Sequence, residues 1–143
     1  MTWKNPPKFV PTKLAQSKAV TPEQIAGKSE GSQQKALMVW AATSGYEQLK
    51  WLVHVPNGGT RNIREAVELK AQGVKAGVPD LALFYAVRQY HGCFIEMKVR
   101  PNKVSEVQIE WLNNLVSNGY YCAVCYSWIE AKDRLINYLE GRV

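Results

Sequence analysis

Asp80, closing the segment Gly77-Val78-Pro79-Asp80, and Glu96 and Lys98, sixteen and eighteen residues further on, are the residues of this chain best suited to chemistry. Residues 93–99 read as a strand, in which successive side chains alternate between faces. Glu96 and Lys98 therefore leave one face together with Phe94, while Cys93, Ile95, Met97 and Val99 leave the other. Pro79 sets Asp80 at the leading edge of a nearly continuous apolar strand over 81–87, and Gln89-Tyr90-His91-Gly92 turns that strand back into the next. Asp80 can thus lie beside Glu96 and Lys98. Two carboxylates with waters and a phosphate oxygen suit a hard divalent cation such as magnesium. Such an ion neutralises phosphate charge and acidifies a bound water. An ammonium group beside it can orient or deprotonate that water, or stabilise the charge of a phosphodiester transition state. The same residues also make an ordinary cross-strand ion pair with Asp80 capping a turn, an arrangement worth little at a surface. What favours chemistry is the apolar setting, where charges are costly unless something requires them.

The elements that must hold these residues follow from periodicity and stop signals. From Ser29, a suitable N-cap, the pattern is helical, with Leu37, Val39, Trp40 and Ala41 on a broad apolar face. A short strand over 52–55 stops at Pro56, and the adjacent Gly58 and Gly59 break either periodicity. A helix over 62–72 carries Ile63, Ala66, Val67 and Leu69 and ends at Gly73. After the strand pair come a helix over 105–118 capped by Ser105, a buried strand over 121–126, and a closing helix over 128–139. Two strands joined by a tight turn, then a strand–helix–strand crossover, predict an α/β fold: one mixed sheet flanked by helices.

A chain of 143 residues has room for one core. The formal charge of +6 and a pI near 9.3 point to an anionic partner. Much of that charge sits before residue 30, where Lys4, Lys8, Lys13, Lys18 and Lys28 stand against Glu23 alone. Residues 1–28, with Pro6, Pro7, Pro11 and Pro22, read as a basic extended arm with at most a helical turn after Thr21, and residues 29–143 as the folded domain. Trp3 in that arm either stacks on a partner or does nothing. No apolar run reaches the roughly 20 residues of a membrane span, and no signal segment opens the chain, so a cytosolic location is expected. Cys93, Cys122 and Cys125 are odd in number and read as reduced thiols. Cys122 and Cys125 fall on opposite faces of a strand, which argues against a zinc pair. His54, just before the Asn57-Gly58-Gly59 loop, could face a substrate but reads rather as a core-edge residue. Trp40, Trp111 and Trp128 fit core packing.

Ordered along the chain, these segments resemble the VRR-NUC branch of the PD-(D/E)XK nuclease superfamily. Asn57-Gly58-Gly59-x-Arg61, the run from Leu69 to Asp80, Ile95-Glu96-Met97-Lys98, and Ser105-x-x-Gln108-x-x-Trp111 match its central blocks, and Glu30-x-x-x-Gln34-x-x-Leu37-x-x-Trp40 its opening helix. The resemblance spans about residues 29–140. It implies a restriction-endonuclease-like core, with Asp80 and Glu96 as metal ligands and Lys98 as the catalytic lysine. Glu30 would reach the metal directly or through water; by itself it is a first-turn glutamate favoured by the helix dipole. Gln108 would hold the lysine, a water or the scissile phosphate, and Gln34 is a weaker candidate on the face of Glu30. Asn57, Gly58 and Gly59 let backbone amides approach a phosphate, Arg61 can grip one bidentately, and Lys70 and Lys75 flank the turn into Asp80. Arg64 reads equally as a phosphate contact or a solvated helix residue.

The expected activity is magnesium-dependent hydrolysis of DNA phosphodiesters leaving 5′ phosphates, with manganese able to substitute. Small free-standing members of the branch resemble phage or bacterial proteins that act as homodimers on branched DNA, including Holliday junctions, in a bacterial or phage-infected cytoplasm. The absence of a separate reading module favours shape over sequence recognition. Flap or end processing by the same chemistry is the second reading, and a non-catalytic DNA-binding protein retaining the fold the third.

Overall fold

The computed structural model describes residues 20–56 and 62–143. A four-residue helix α1 (Pro22–Ile25) follows the capping box of Thr21 and Gln24, and α2 (Glu30–Thr43) follows Ser29, whose hydroxyl accepts from the Ser32 N–H. A 3₁₀ turn (Glu47–Trp51) leads into β1 (Leu52–His54). The chain continues through α3 (Ile63–Ala71), β2 (Leu81–Leu83), β3 (Cys93–Met97), α4 (Glu106–Ser117), β4 (Tyr121–Cys125) and α5 (Trp128–Leu139). Among the described residues, each of the five α-helices starts behind a Ser, Thr or Asn whose side chain accepts an otherwise orphaned backbone N–H.

The four strands lie in the order β1-β2-β3-β4. The first three pair antiparallel and β3 pairs parallel with β4, the α4 crossover lying between them. This is the expected mixed sheet. The face carrying Cys93, Ile95 and Met97 is sealed by α2 and α5, through Ala36, Leu37 and Ala41 on one helix and Trp128, Ala131, Leu135 and Tyr138 on the other. Tyr138 keeps its buried hydroxyl satisfied by donating to the Tyr85 carbonyl at 2.7 Å. The opposite face of β3, with Phe94 and Glu96, meets the α4 side of the sheet, where Leu115 is buried. Among the described residues no helix is long and apolar enough to cross a membrane.

Three local expectations differ from what forms. The apolar run over 81–87 pairs only as far as Leu83, and Phe84 and Tyr85 are exposed. Beyond Leu83 the ladder is reduced to single bonds, Phe84 donating to the Trp51 carbonyl and Val87 bridging Tyr90, because β3 begins at Cys93 opposite Leu83 and β1 gives way to the 3₁₀ turn. Residues 93–99 stop as a strand at Met97; Lys98 still donates to the Cys125 carbonyl, and the chain then meets Pro101, which has no N–H to give. The helix over 62–72 forms behind Asn62, yet none of its residues is buried.

The loop between α3 and β2 is pinned at Gly77. Its φ is +91°, and a Cβ there would overlap Val107 and come within 2.9 Å of Trp111 Cδ1 and the Val107 carbonyl. Neither neighbour can yield without moving α4. Gly77→Ala is expected to lower unfolding stability by about 1–3 kcal/mol in chemical denaturation; a change within about 0.5 kcal/mol would show that this loop is not clamped to α4.

Candidate active site

The antiparallel register Leu81↔Ile95 puts Asp80 one step ahead of β2, alongside Glu96 on β3. Asp80 is fixed there at both ends. Its Oδ2 accepts the Met97 N–H at 2.8 Å, and its carbonyl accepts the Val55 N–H, also at 2.8 Å. Glu96 is only 2% exposed, and Lys98 8%. Glu96 Oε1 lies 3.3 Å from Lys98 Nζ and 2.6 Å from Gln108 Nε2. Glu96 Oε2 is buried and has no hydrogen-bond partner among the described residues. Glu30, from the first turn of α2, stands on the other side of the lysine, its Oε1 3.9 Å from Nζ, and accepts from Asn102 Nδ2 at 3.1 Å. The five residues Glu30, Asp80, Glu96, Lys98 and Gln108 thus converge from α2, β2, β3 and α4.

Gln108 does two jobs with one amide. Its Oε1 accepts the Ser105 N–H at 2.9 Å, completing the capping box of α4, while its Nε2 donates to Glu96. A glutamate there would cap the helix equally well but would face Glu96 with a second negative charge. The helix cap and the charged centre therefore share a residue, and the amide's orientation follows from its two partners.

Electrostatics make Glu96 unusual. Burial first, and then the charge of Asp80, push its carboxyl up from 4.5 to about 7, against the opposing pull of Lys98. Burial also raises Asp80, opposed most by its hydrogen bond from Met97. A buried carboxylate with an orphaned oxygen, beside a second carboxylate, is a poor arrangement for stability alone. Among the described residues no three His, Cys, Asp or Glu side chains stand close enough to cage a metal by themselves. Glu30 thus faces the ammonium and Asn102 rather than completing a three-carboxylate cluster. Two carboxylates, with waters and phosphate for the remaining positions, nonetheless fit magnesium or manganese, and the orphaned Glu96 Oε2 fits an ion-facing oxygen.

Two further residues reach this centre, of which Asn102 carries no sequence signal. Asn102 sits in the loop that returns from β3 to α4, and holds Glu30 against Lys98. His54, expected at the edge of the core, is exposed, and its Nδ1 lies 2.8 Å from the Asp80 carbonyl. A carbonyl only accepts, so Nδ1 carries a proton in this contact. The basic surround is partly visible. Lys70 and Lys75 are exposed, and Lys75 borders a groove shared with Ala76, Val107, Glu110, Trp111 and Asn114. Trp111 is anchored there by donating to the Ala76 carbonyl at 3.1 Å. Arg100, in the loop after Lys98, stacks on Tyr126 with Cζ 4.6 Å from the ring centre. The expected contacts Asn57, Gly58, Gly59 and Arg61 lie outside the described residues, as does Trp3. Burial holds the thiols of Cys122 and Cys125 protonated, at about 11 and about 12.

The model of the VRR-NUC domain matches residues 15–128. The chain belongs to the VRR-NUC family. Comparison with curated proteins gives no match. Among solved structures, one described as a VRR_NUC domain protein is 27% identical, with a TM-score of 0.69 over 80% of this chain and 91% of that one. VRR-NUC domains are nuclease domains, so membership implies a DNA substrate and a divalent metal ion.

Because folding raises the Glu96 pKa, its protonated form is favoured in the native state. That contribution is complete below about 4.5 and is lost as pH rises through about 7. Without divalent ions, wild type should lose several degrees of melting temperature between about pH 6 and 8, and Glu96→Gln much less. Added magnesium should restore wild type more at the higher pH and leave Glu96→Gln unchanged. Equal pH slopes for the two proteins would contradict the assignment of this proton to Glu96.

Proposed function

We propose that the protein is a magnesium-dependent endonuclease that hydrolyses DNA phosphodiesters and selects branched DNA by shape. The observation that carries this reading is the buried, unpartnered Glu96 Oε2 beside Asp80, with Lys98 3.3 Å from the other oxygen of the same carboxylate. Asp80 and Glu96 would hold the ion; manganese, with the same preference for oxygen, would substitute. When bound, the ion supplies neutralisation of phosphate charge and acidification of water.

The chain's own groups do the rest. Gln108 and Lys98 both engage Glu96 Oε1, which leaves Oε2 without a hydrogen-bond partner among the described residues. The Met97 N–H keeps Asp80 aligned without neutralising it. Lys98 is held between Glu30 and Glu96, where its ammonium can orient the attacking water or bind a non-bridging phosphate oxygen as charge develops. Glu30 acts on the site through the lysine and through water. Lys70, Lys75, Arg100 and Lys103 are exposed cations suited to phosphates, which position a duplex without reading its bases. Asn57, Gly58, Gly59 and Arg61 would extend that contact. A two-fold dimer would present two such sites to opposed strands of a four-way junction.

The test is cleavage of labelled four-way junction, 5′ flap, splayed arm and linear duplex with magnesium or manganese. Paired symmetric cuts in the junction are expected, reduced by at least about 100-fold in Asp80→Asn and Lys98→Ala. Gln108→Glu should fall about as far while retaining helix content, because the cap survives and the carboxylate clash does not. Cuts confined to flaps or ends would replace the junction reading by end processing. No metal-dependent cutting on any substrate would leave a DNA-binding protein that keeps the fold.

A further inference from the structure

We propose that the groove between the loop before β2 and helix α4 is a subsite for one unpaired nucleobase carrying an exocyclic amino group, beside the scissile phosphate. The proposal rests on the nuclease reading for its substrate, DNA, and adds what is read in that substrate. Lys75 and Ala76 line the groove from the loop, and Val107, Glu110, Trp111 and Asn114 line it from α4, all of them described residues. Its volume of about 400 Å³ lies at the low end of small-ligand sites, roughly 300–1,000 Å³. A planar ring system fits such a space and a duplex does not.

The apolar walls are held in place. Trp111 gives its indole N–H to the Ala76 carbonyl at 3.1 Å, so the one polar atom of the ring is used and carbon is left for the groove. Gly77, where a Cβ would overlap Val107 and crowd Trp111, keeps the loop seated on the helix. Val107 is 45% exposed and stands one helical turn before Trp111. Bases released from a stack find aromatic and apolar surface of this kind favourable.

The polar groups choose the occupant. Neither Lys75 nor Glu110 enters an ion pair among the described residues. The Glu110 carboxylate repels a phosphate backbone but accepts from an amino group, as carboxylates do from cytosine N4. Asn114 Oδ1 already accepts from Asn118 at 3.3 Å, which leaves its amide nitrogen to donate to a ring nitrogen or carbonyl. Lys75 supplies a cation for the phosphate of the same nucleotide. An aliphatic ligand would leave the carboxylate and the amide unused.

Position decides which base is taken. Gln108 binds Glu96, and Trp111 follows it by about one helical turn, roughly 5.4 Å along α4. Bases on one strand rise about 3.4 Å each, so the base in the groove lies one or two nucleotides from a phosphate held at Asp80 and Glu96. A duplex keeps its Watson–Crick edges paired and has none to offer there. A strand leaving a branch point does.

Fluorescence anisotropy in EDTA, with the full chain and a 5′-flap DNA, tests the subsite. The first two unpaired nucleotides of the flap are cytosine, thymine or abasic. Wild type should bind the cytosine flap at least about tenfold tighter than the abasic one and at least about fivefold tighter than the thymine one. Glu110→Ala, at an exposed position of α4, should bring the cytosine-to-thymine ratio within about twofold. Lys75→Ala should weaken all three DNAs alike. Irradiation of a flap carrying 5-iodocytosine at those positions should crosslink it to the peptide containing Trp111. Equal affinity for the three DNAs, a ratio that Glu110→Ala leaves unchanged, or a crosslink outside the groove would overturn the subsite. Cleavage of all three flaps at equal rates with magnesium would keep the nuclease reading and remove the subsite. Base-dependent binding without cleavage of any DNA would keep the subsite and remove the nuclease reading instead.

Discussion

A carboxylate sealed in an apolar sheet is the constraint around which this molecule is arranged. Glu96 sits on the α4 face of β3, paired with Val124 of β4 and almost wholly buried, a position that a core would ordinarily fill with hydrocarbon. Ionising it there is unfavourable, which is why its proton is retained toward neutrality. Lys98 offsets part of that cost, but one oxygen is left without a hydrogen bond. Hydrophobic residues of similar size would make a more stable sheet. The charge is retained where a cation could use it, and the rest of the site consists of groups that keep it in place.

Those groups come from four elements whose local folding is itself tied to the centre. The cap of α4 donates to Glu96 through Gln108, and the first turn of α2 supplies Glu30 to Lys98. Asp80 is positioned by a backbone N–H of β3 on one side and by Val55 and His54 on the other. Gly77 locks the approach to Asp80 onto α4. Because each contact is made by an element's end, small errors in sheet register would pull the carboxylates apart. The core on the far face, built from α2 and α5, guards that register, since a one-residue slip of β3 would turn Glu96 into hydrocarbon.

Much of this was legible in the sequence, for identifiable reasons. Helices announce themselves by caps, and Ser29 and Ser105, read as caps, stand where two of them begin. Strand alternation sufficed to put Glu96 and Lys98 on one face and Cys93, Ile95 and Met97 in the core. What escaped lacks periodic signal. The 3₁₀ turn at Glu47–Trp51 is too short to show one, and the apolar run after Leu83 reads as strand although only isolated backbone bonds, Phe84 to Trp51 and Val87 to Tyr90, continue it. Amphipathicity located α3 but could not say that its apolar face points outward. Asn102 and His54 act through single hydrogen bonds from loop and strand end, which only folding brings into view.

The most direct test of the central claim is an anomalous difference map from a crystal soaked in manganese. A peak should appear at roughly 2.1–2.2 Å from Glu96 Oε2 and from a carboxylate oxygen of Asp80, and it should be absent from Glu96→Gln crystals. A well-occupied manganese site elsewhere, with none between these two carboxylates, would contradict the claim that Glu96 is buried in order to hold a metal ion.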